Sequence, residues 1–415
     1  MPGQFSNKKK LVLLANAVEE NLNYIKRADN LFPDLAGKKY GMAVHGYQTD
    51  AGSVSNGLVA HPDVAHQVEH TAYLDNYNTA AETDLWDDLV NIEDFNREMV
   101  DKRSKKLARE VQKAVINENV FRSCQVAVAT SAGYGLLSDA NAKMEELSVV
   151  GERIDFQTPT TISKIQATGS NLFLYPEKQR EIYEENSIGF YANADTVALP
   201  GLPIVDTTGM DAAPTLSASV VVDAGSNTIG VKPISTITGS GTGSVIPGVP
   251  YKLSGLKIVD EGGVETEQDY IVIPVSEVYY DEDGVRQTRT VIPEIRITAK
   301  GKSYGNPNAW MTATAIDAAT STGTVTLTLS AVLTASKHYQ VGQYRLAKAL
   351  SFSPLTFKNL PAAKQDSVGA GDFVTLKMQS APEVLNGVSY FRIDMPFVAK
   401  IFEPRQSVTT YLLLD

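Results

Sequence analysis

Apolar positions change rhythm several times along this chain. Over residues 1–35, Leu13, Ala17, Leu22 and Ile25 return at roughly helical spacing among charges, and Phe32-Pro33 and Gly37 then break the pattern. That stretch predicts a helical arm. From 36 to 81, Gly, His, Asn, Asp and Tyr interrupt short runs such as Gly41-Met42-Ala43-Val44. A polar stretch of this length exceeds an ordinary connection, so we expect an extended two-stranded loop that docks on a neighbour.

The strongest periodic signal runs from 82 to about 124. Leu85, Leu89, Ile92, Met99, Leu107, Val111 and Val115 return to one helical face, and Glu98–Lys102, Asp101–Lys105 and Lys106–Glu110 pair opposite charges at i,i+4. No Gly or Pro interrupts 82–132. A helix of roughly 35 residues would span about 50 Å, the length of a spine. Together with the mixed text up to 215 it forms a core unit: helices are expected at 138–150 and 160–167, a buried strand at 171–175, and a Pro176-initiated helix at 177–185. Leu199-Pro200-Gly201-Leu202-Pro203 then turns the chain into Ile204-Val205.

Residues 216–335 shift toward Val, Thr, Ile, Gly and Ser. Strand signals at 219–222, 252–259, 270–275, 290–298 and 324–329 alternate with turns such as Glu261-Gly262-Gly263 and Asp283-Gly284, which predicts an all-β unit. Residues 336–415 return to mixed character and end on alternating Tyr390-Phe391-Arg392-Ile393-Asp394 and apolar Tyr411-Leu412-Leu413-Leu414. A β block flanked by two α/β pieces predicts one domain inserted into another. The fold class is therefore α+β.

Composition narrows the function more than the fold. With 415 residues, 43% apolar and 20% charged, the chain has material for more than one core. Its net charge of -11 argues against a dedicated nucleic-acid binder, though not against a protein that encloses nucleic acid. Cys124 is the only cysteine, so no internal disulfide forms, and it reads as a small buried apolar residue near a helix end. Lys8-Lys9-Lys10 before Leu11-Val12-Leu13-Leu14 imitates a signal peptide, but the apolar run breaks at Asn16 and meets Glu19-Glu20. The uncharged stretch 318–336 contains nine Ser or Thr and alternates, which describes a strand and not a membrane span. We expect a soluble protein made in the cytoplasm, with no membrane contact.

Candidate chemistry is sparse. His61, His66 and His70 lie close in sequence, but spacings of five and four do not give a zinc-hydrolase arrangement, so we read loop or interface histidines. Gly239-Ser240-Gly241-Thr242-Gly243-Ser244 is followed by Val245-Ile246-Pro247-Gly248-Val249-Pro250, which cannot open a phosphate-binding helix. Asp281-Glu282-Asp283-Gly284 begins like a calcium loop, yet Arg286 and Ile292 occupy its sixth and twelfth places; a hairpin turn fits better. Lys102, Arg103, Lys105, Lys106 and Arg109 make a basic run on the long helix. No catalytic residue, cofactor or metal site is expected.

The order of parts resembles the HK97-like fold of tailed-phage major capsid proteins, and more closely the short-tailed phage coat proteins that carry a telokin-like insertion domain. Asn171-Leu172-Phe173-Leu174-Tyr175-Pro176-Glu177-Lys178-Gln179 is similar to their strand followed by a Pro-initiated helix. The arm ending in Gly37-Lys38-Lys39-Tyr40-Gly41 resembles their N-arm entering the extended loop. Residues 199–205 sit where theirs lead into the insertion. Gly387-Val388-Ser389-Tyr390-Phe391-Arg392-Ile393 and Glu403-Pro404-Arg405 are similar to their C-terminal strand and tail. The resemblance implies an N-arm, extended β loop, spine helix, peripheral and axial domains, and an inserted all-β domain. It also implies homo-oligomeric hexamers and pentamers, a scaffolding protein, a portal, and a virion shell around DNA. Subunit-interface candidates are then Lys38, Tyr40, His61, His66, His70, Lys102, Arg103, Lys106, Arg109, Asp281, Glu282 and Asp283. A β-rich adhesion or carbohydrate-binding protein and an encapsulin-type compartment are the alternatives.

Overall fold

The computed structural model describes residues 7–25, 27–30, 32, 42–49, 67–84, 102–169, 189–213, 215–221, 229–231, 246–260, 265–281, 285–291, 293, 295–299, 311–313, 322–355, 364–370, 372–383 and 388–414. The first element, α1 (Asn7–Asn21), buries Leu11, Leu14, Ala15 and Val18, with Leu22 following. These positions follow the i, i+3, i+4, i+7 rule of a one-sided helix. The expected stripe through Leu13 and Ala17 is off by one face: Leu13 is 40% exposed. Leu22 and Ile25 are buried as expected, but in the turn after the helix.

β1 (Ala43–Thr49) and β2 (Gln67–Tyr73) form an antiparallel ribbon in register from Ala43↔Tyr73 to Thr49↔Gln67. β3 (Asp75–Asp84) corrects the expected start of the spine: residues 82–84 are strand, not helix. The reason is the partner they meet, since all ten residues of β3 ladder onto a C-terminal strand, from Asp75↔Phe397 to Asp84↔Val388. Leu85, Leu89, Ile92 and Met99 lie outside the described residues. Within the described residues the expected helix is α2 (Ser104–Asn119), which buries Leu107, Val111 and Val115 as the periodicity predicts. It stops at Asn119, short of 124, because that side chain turns back to Val115 O (2.9 Å) and accepts Ile401 N (2.8 Å).

After α2 come β4 (Gln125–Ala129), α3 (Tyr134–Glu146), β5 (Arg153–Gln157) and α4 (Pro159–Gly169). The expected 138–150 helix is α3, shifted toward the N-terminus, and α4 covers the expected 160–167. Pro159 opens α4 behind Thr158, whose Oγ1 accepts Thr161 N at 3.2 Å. The predicted strand at 171–175 and helix at 177–185 lie outside the described residues. β6 (Phe190–Tyr191) and β7 (Ala194–Ala198) make a hairpin through Ala192 and Asn193, both at positive φ, and β8 (Ile204–Asp206) follows.

The described residues between 215 and 331 contain strands and no helix: β9 (Thr215–Val221), β10 (Ile229–Val231), β11 (Tyr251–Val259), β12 (Glu265–Val272), β13 (Val275–Tyr280), β14 (Arg286–Val291), β15 (Ile295–Ala299), β16 (Met311–Ala313) and β17 (Thr322–Ala331). The chain enters by β9 and leaves by β17, and these two pair antiparallel. Thr207 pins the junction: its hydroxyl donates to Thr334 O (2.8 Å) and Lys337 O (3.0 Å) and accepts Lys337 N (2.9 Å). The block is not sealed off from its surroundings. Tyr251, Leu253, Ile258, Tyr270 and Val272 belong to the same apolar core as Phe121, Val126 and Tyr411.

β18 (His338–Leu346), β19 (Leu350–Pro354), β20 (Lys364–Ala370), β21 (Val374–Glu383), β22 (Val388–Ile401) and β23 (Ser407–Leu413) complete the chain. A central seven-stranded sheet runs β4-β23-β18-β5-β7-β6, with β8 on β18. A second sheet joins β19, β22, β21 and β20, with β3 on β22.

Gly248 marks where the β block meets the core. Its φ is +88°, and an added Cβ would sit 2.8 Å from Phe121 Cζ and 2.9 Å from Val205 Cγ2. Gly201 shares the positive φ (+93°) but has open space around it. Gly248→Ala is expected to cost about 2–4 kcal/mol and Gly201→Ala about 1 kcal/mol, read as melting temperature. Equal losses would mean that backbone conformation, not the close approach of block and core, sets the cost.

Candidate functional site

The arm is fastened to the molecule by a buried cation. Arg345 is the second-to-last residue of β18, and its side chain lies fully inside the core. A guanidinium keeps its charge in a protein, so burial must be met by acceptors. Nη2 donates to Tyr24 O (2.8 Å), and Nη1 donates to Leu346 O (3.1 Å) and Ala347 O (2.7 Å). The Tyr24 and Phe156 rings stand 4.9 and 5.1 Å from its central carbon, within cation–π range. Burial lowers the Arg345 pKa and pushes Tyr24 up to about 12, with Arg345 opposing the latter.

Tyr24 extends the fastening into a polar seam. Its hydroxyl donates to Gln343 Oε1 at 2.5 Å, and its backbone N donates to Gln112 Oε1 on α2 at 3.3 Å. Gln343 Nε2 in turn donates to Asn119 O (3.1 Å) and Ser407 Oγ (2.9 Å). Beyond Tyr24 the arm crosses to the second sheet, where Asp29 N donates to Leu350 O and Phe352 N to Asp29 O. Phe32 then reaches the ribbon, joining Val44, Ala72, Leu74, Leu355, Val398 and Phe402 in a satellite cluster, with its ring 5.4 Å from that of Phe402. Lys400 Nζ donates to Thr71 O at the ribbon's base. One short segment thus ties together three sheets.

The C-terminal tail is fastened by a second buried charge. Glu403 and Arg405 pair through two contacts, Nε–Oε1 at 2.7 Å and Nη2–Oε2 at 3.1 Å, both side chains nearly inaccessible. Arg405 Nη1 also donates to Val259 O and Asp260 O at the end of β11. Beside this pair Cys124 is fully buried, and burial, with Glu403 adding to it, pushes its thiol far above the ordinary range. It packs as a small apolar residue, as the sequence suggests, and is no nucleophile.

The predicted interface residues separate into groups. Lys106 and Arg109 are exposed on α2, and Lys102 is exposed just before it. Arg103, at the head of α2, donates from Nη1 to Ala80 O (2.6 Å) and Thr79 Oγ1 (3.4 Å) and so ties α2 to β3. His70 lies in β2 opposite Gly46. Asp281 closes the β13–β14 hairpin, its Oδ1 accepting Val285 N at 2.7 Å and its N donating to Val285 O, which is the turn read from the sequence. Lys38, Tyr40, His61, His66, Glu282 and Asp283 lie outside the described residues, as does the glycine-rich run 239–244. Among the described residues no cluster of three or more His, Cys, Asp or Glu is arranged for a metal, and no helix is long and apolar enough to cross a membrane. Sequence reasoning missed Tyr24, Gln343 and Arg345. Their one signal was a glutamine and an arginine alternating with Gly342, Tyr344 and Leu346 near the end of the strand.

No family model and no curated protein matches the chain. In three dimensions it is similar to a chain of Mycobacterium phage Che8, with TM-score 0.43 and 9% identity over 93% of this chain and 90% of that one. It is similar to a chain from the capsid structure of the cyanophage P-SCSP1u, with TM-score 0.42 and 9% identity over 93% and 86%. A chain from the capsid of Ralstonia phage GP4 gives TM-score 0.43 and 6% identity over 91% and 86%.

Removing the Arg345 fastening should free the arm before it unfolds the core. Arg345→Ala leaves three buried carbonyls without their donor, a loss of about 3–5 kcal/mol. Limited proteolysis followed by mass spectrometry should show cleavage at Arg27 at least tenfold faster than in the native chain, with 153–157 still protected. Arm cleavage at the native rate would show that α1, not Arg345, holds the segment.

Proposed function

We propose that this chain is the major capsid protein of a tailed bacteriophage, a structural subunit that self-assembles into hexamers and pentamers of an icosahedral head. The observation that carries the reading is the β1–β2 ribbon, seven register pairs borne on a separate small apolar cluster. A two-stranded ribbon is marginal alone in water, and its strands offer backbone groups to another chain. Such an element gains a purpose when a neighbouring copy covers it. The outward faces of α1, with Val12 and Leu13, and of α2, with Lys106 and Arg109 and Lys102 just before it, supply surfaces of contrasting chemistry for the same use. The ordered resemblance of arm, loop, spine, β block and C-terminal strand to HK97-like coat proteins supports the reading as well.

In this reading the chain is not an enzyme and needs no cofactor. It resides in the virion, assembled in the host cytoplasm as a precursor shell around a scaffolding protein, and the shell expands as double-stranded DNA enters through a portal. The chain encloses that DNA without reading its sequence, in keeping with its net charge of -11. Residues 36–81 form the extended loop and 216–335 the inserted β domain; the paired entry and exit strands β9 and β17 support the insertion. The interface groups are Lys38, Tyr40, His61, His66, His70, Lys102, Arg103, Lys106, Arg109 and the 281–283 turn.

Expression with its neighbouring genes, followed by negative-stain imaging, tests the reading. Uniform closed shells that need a scaffolding partner are expected. Shells formed by the chain alone around a cargo protein would favour an encapsulin-type compartment, and a persistent monomer that binds glycans would favour an adhesion protein. Residues 38–80 should be protease-sensitive in free subunits and protected in particles. Lys106→Glu with Arg109→Glu should change subunit stability by no more than about 0.5 kcal/mol, since both side chains are exposed, yet lower particle yield several-fold. Unchanged yield would place them outside the contacts.

A further inference from the structure

We propose that Asp155 is a proton-controlled latch in the central sheet: protonated, it is accommodated between β5, β7, β18 and β23, and ionised, it loosens those strands and the β6–β7 hairpin. This inference does not depend on the capsid reading.

Asp155 is the middle residue of β5, all five of whose residues are buried, and it is itself 0% exposed. Its Oδ1 accepts from Gln157 Nε2 at 2.8 Å, and the same amide donates to Thr410 Oγ1 on β23 at 3.0 Å. Gly342 on β18 leaves the room for this arrangement, since a Cβ there would stand 2.5 Å from Thr410 Oγ1. Asp155 Oδ2 has no hydrogen-bond partner among the described residues. Neither has Thr196 Oγ1, and Thr196 is the register partner of Asp155 in the parallel β5–β7 pairing. Register partners project to the same face, so the Thr196 hydroxyl shares the face of Asp155, yet no hydrogen bond joins the two. Ionised, the carboxyl would bury a full charge with Oδ2 lacking a donor; protonated, it buries no charge.

The charged and titratable groups facing this carboxyl do not neutralise it. Arg153, two residues earlier on β5, is engaged by Glu145 Oε1 (3.2 Å) and Asn141 Oδ1 of α3 and by Val149 O (2.8 Å). Tyr344, opposite Asp155 on β18, donates to Asn141 Oδ1 and Ala192 O, and burial pushes it up to about 12, so it stays neutral. From β7 and β23 come only the hydroxyls of Thr196 and Thr410. A buried carboxylate with one amide donor is poorly compensated. Burial accordingly pushes the Asp155 carboxyl up to about 7, the Gln157 hydrogen bond opposing the shift. The folded chain then holds a proton that the unfolded chain releases near pH 4. Stability is greatest at the acidic end of that window and falls as pH rises through about 7. The Tyr344–Ala192 hydrogen bond links the same neighbourhood to the hairpin turn, which is the segment expected to loosen first.

The test compares melting temperatures of the full chain and Asp155→Asn from about pH 5.5 to about pH 8.5. The native chain should lose several degrees relative to the variant across that range, and Asp155→Asn should be the more stable of the two at the alkaline end. Parallel profiles would overturn the proposal. Should the variant fail to fold, hydrogen exchange on the native chain decides. Amides of 153–157 and 190–198 should lose about tenfold in protection, after correction for the intrinsic rate, while those of β21 and β22 hold. Uniform change across both sheets would equally overturn it.

Discussion

A guanidinium inside an apolar core is tolerable only when its charge is compensated. Arg345 has both Nη groups on three backbone carbonyls, while its Nε is left without a partner among the described residues. One of the three belongs to Tyr24, more than 300 residues earlier in the chain, and so does one of the two rings that flank the cation. Without the arm, β18 would carry a buried positive charge with a missing acceptor and a bare face. Docking of the arm and closure of the central sheet are therefore a single event in energetic terms. The seam carries the same dependence into α2, because Gln343 Oε1 and Gln112 Oε1 take their donors from Tyr24 of the arm, while Gln343 Nε2 donates to Asn119 O of the helix.

That arrangement divides the molecule into rigid and yielding parts. Where the chain must hold shape, polar groups are buried and paired: the Arg345 seam, the Glu403–Arg405 pair at the end of β11, and Thr207 at the junction of β block and core. The ribbon is different. Its base is held by a cluster of seven apolar residues, and among the described residues its two strands pair with each other alone. On the proposed capsid reading, a subunit that meets several neighbours would use this contrast, with a paired body to fix the geometry and a ribbon to dock. The arm occupies the boundary, since the segment that locks the core also supplies Phe32 to the ribbon's foot.

The sequence displayed the stiff body in its periodicity and concealed what locks it. Leu107, Val111 and Val115 were legible as one face of a helix because their neighbours lie within the same turns. The Asp281 turn and most strands of the β block were legible for the same local reason. β3 was not: nothing near Glu82 announces a strand, and its pairing with β22 is decided across some 300 residues. On α1 two apolar stripes competed, and the sheet beneath chose Leu11, Leu14 and Val18 over Leu13 and Ala17. Arg345 and Gln343 alternate with apolar residues as a solvent face would. They are buried because β18 is covered on both faces, a property of the assembled fold and not of the strand.

Three of the buried ionisable sites show three degrees of compensation. Glu403 and Arg405 cancel each other in two-point contact. Arg345 is met by dipoles and ring faces, which hold a charge in place but release it if the arm departs. Asp155 has one amide, one idle oxygen and an idle hydroxyl on its face of the sheet. The first is a self-contained fastening and the second a fastening conditional on a chain segment. The third is conditional on a proton. Replacing a buried ionic group together with its partners by apolar side chains is often neutral, whereas removing one partner alone is costly. What these groups add is dependence, because each makes the integrity of the sheet contingent on one identifiable partner.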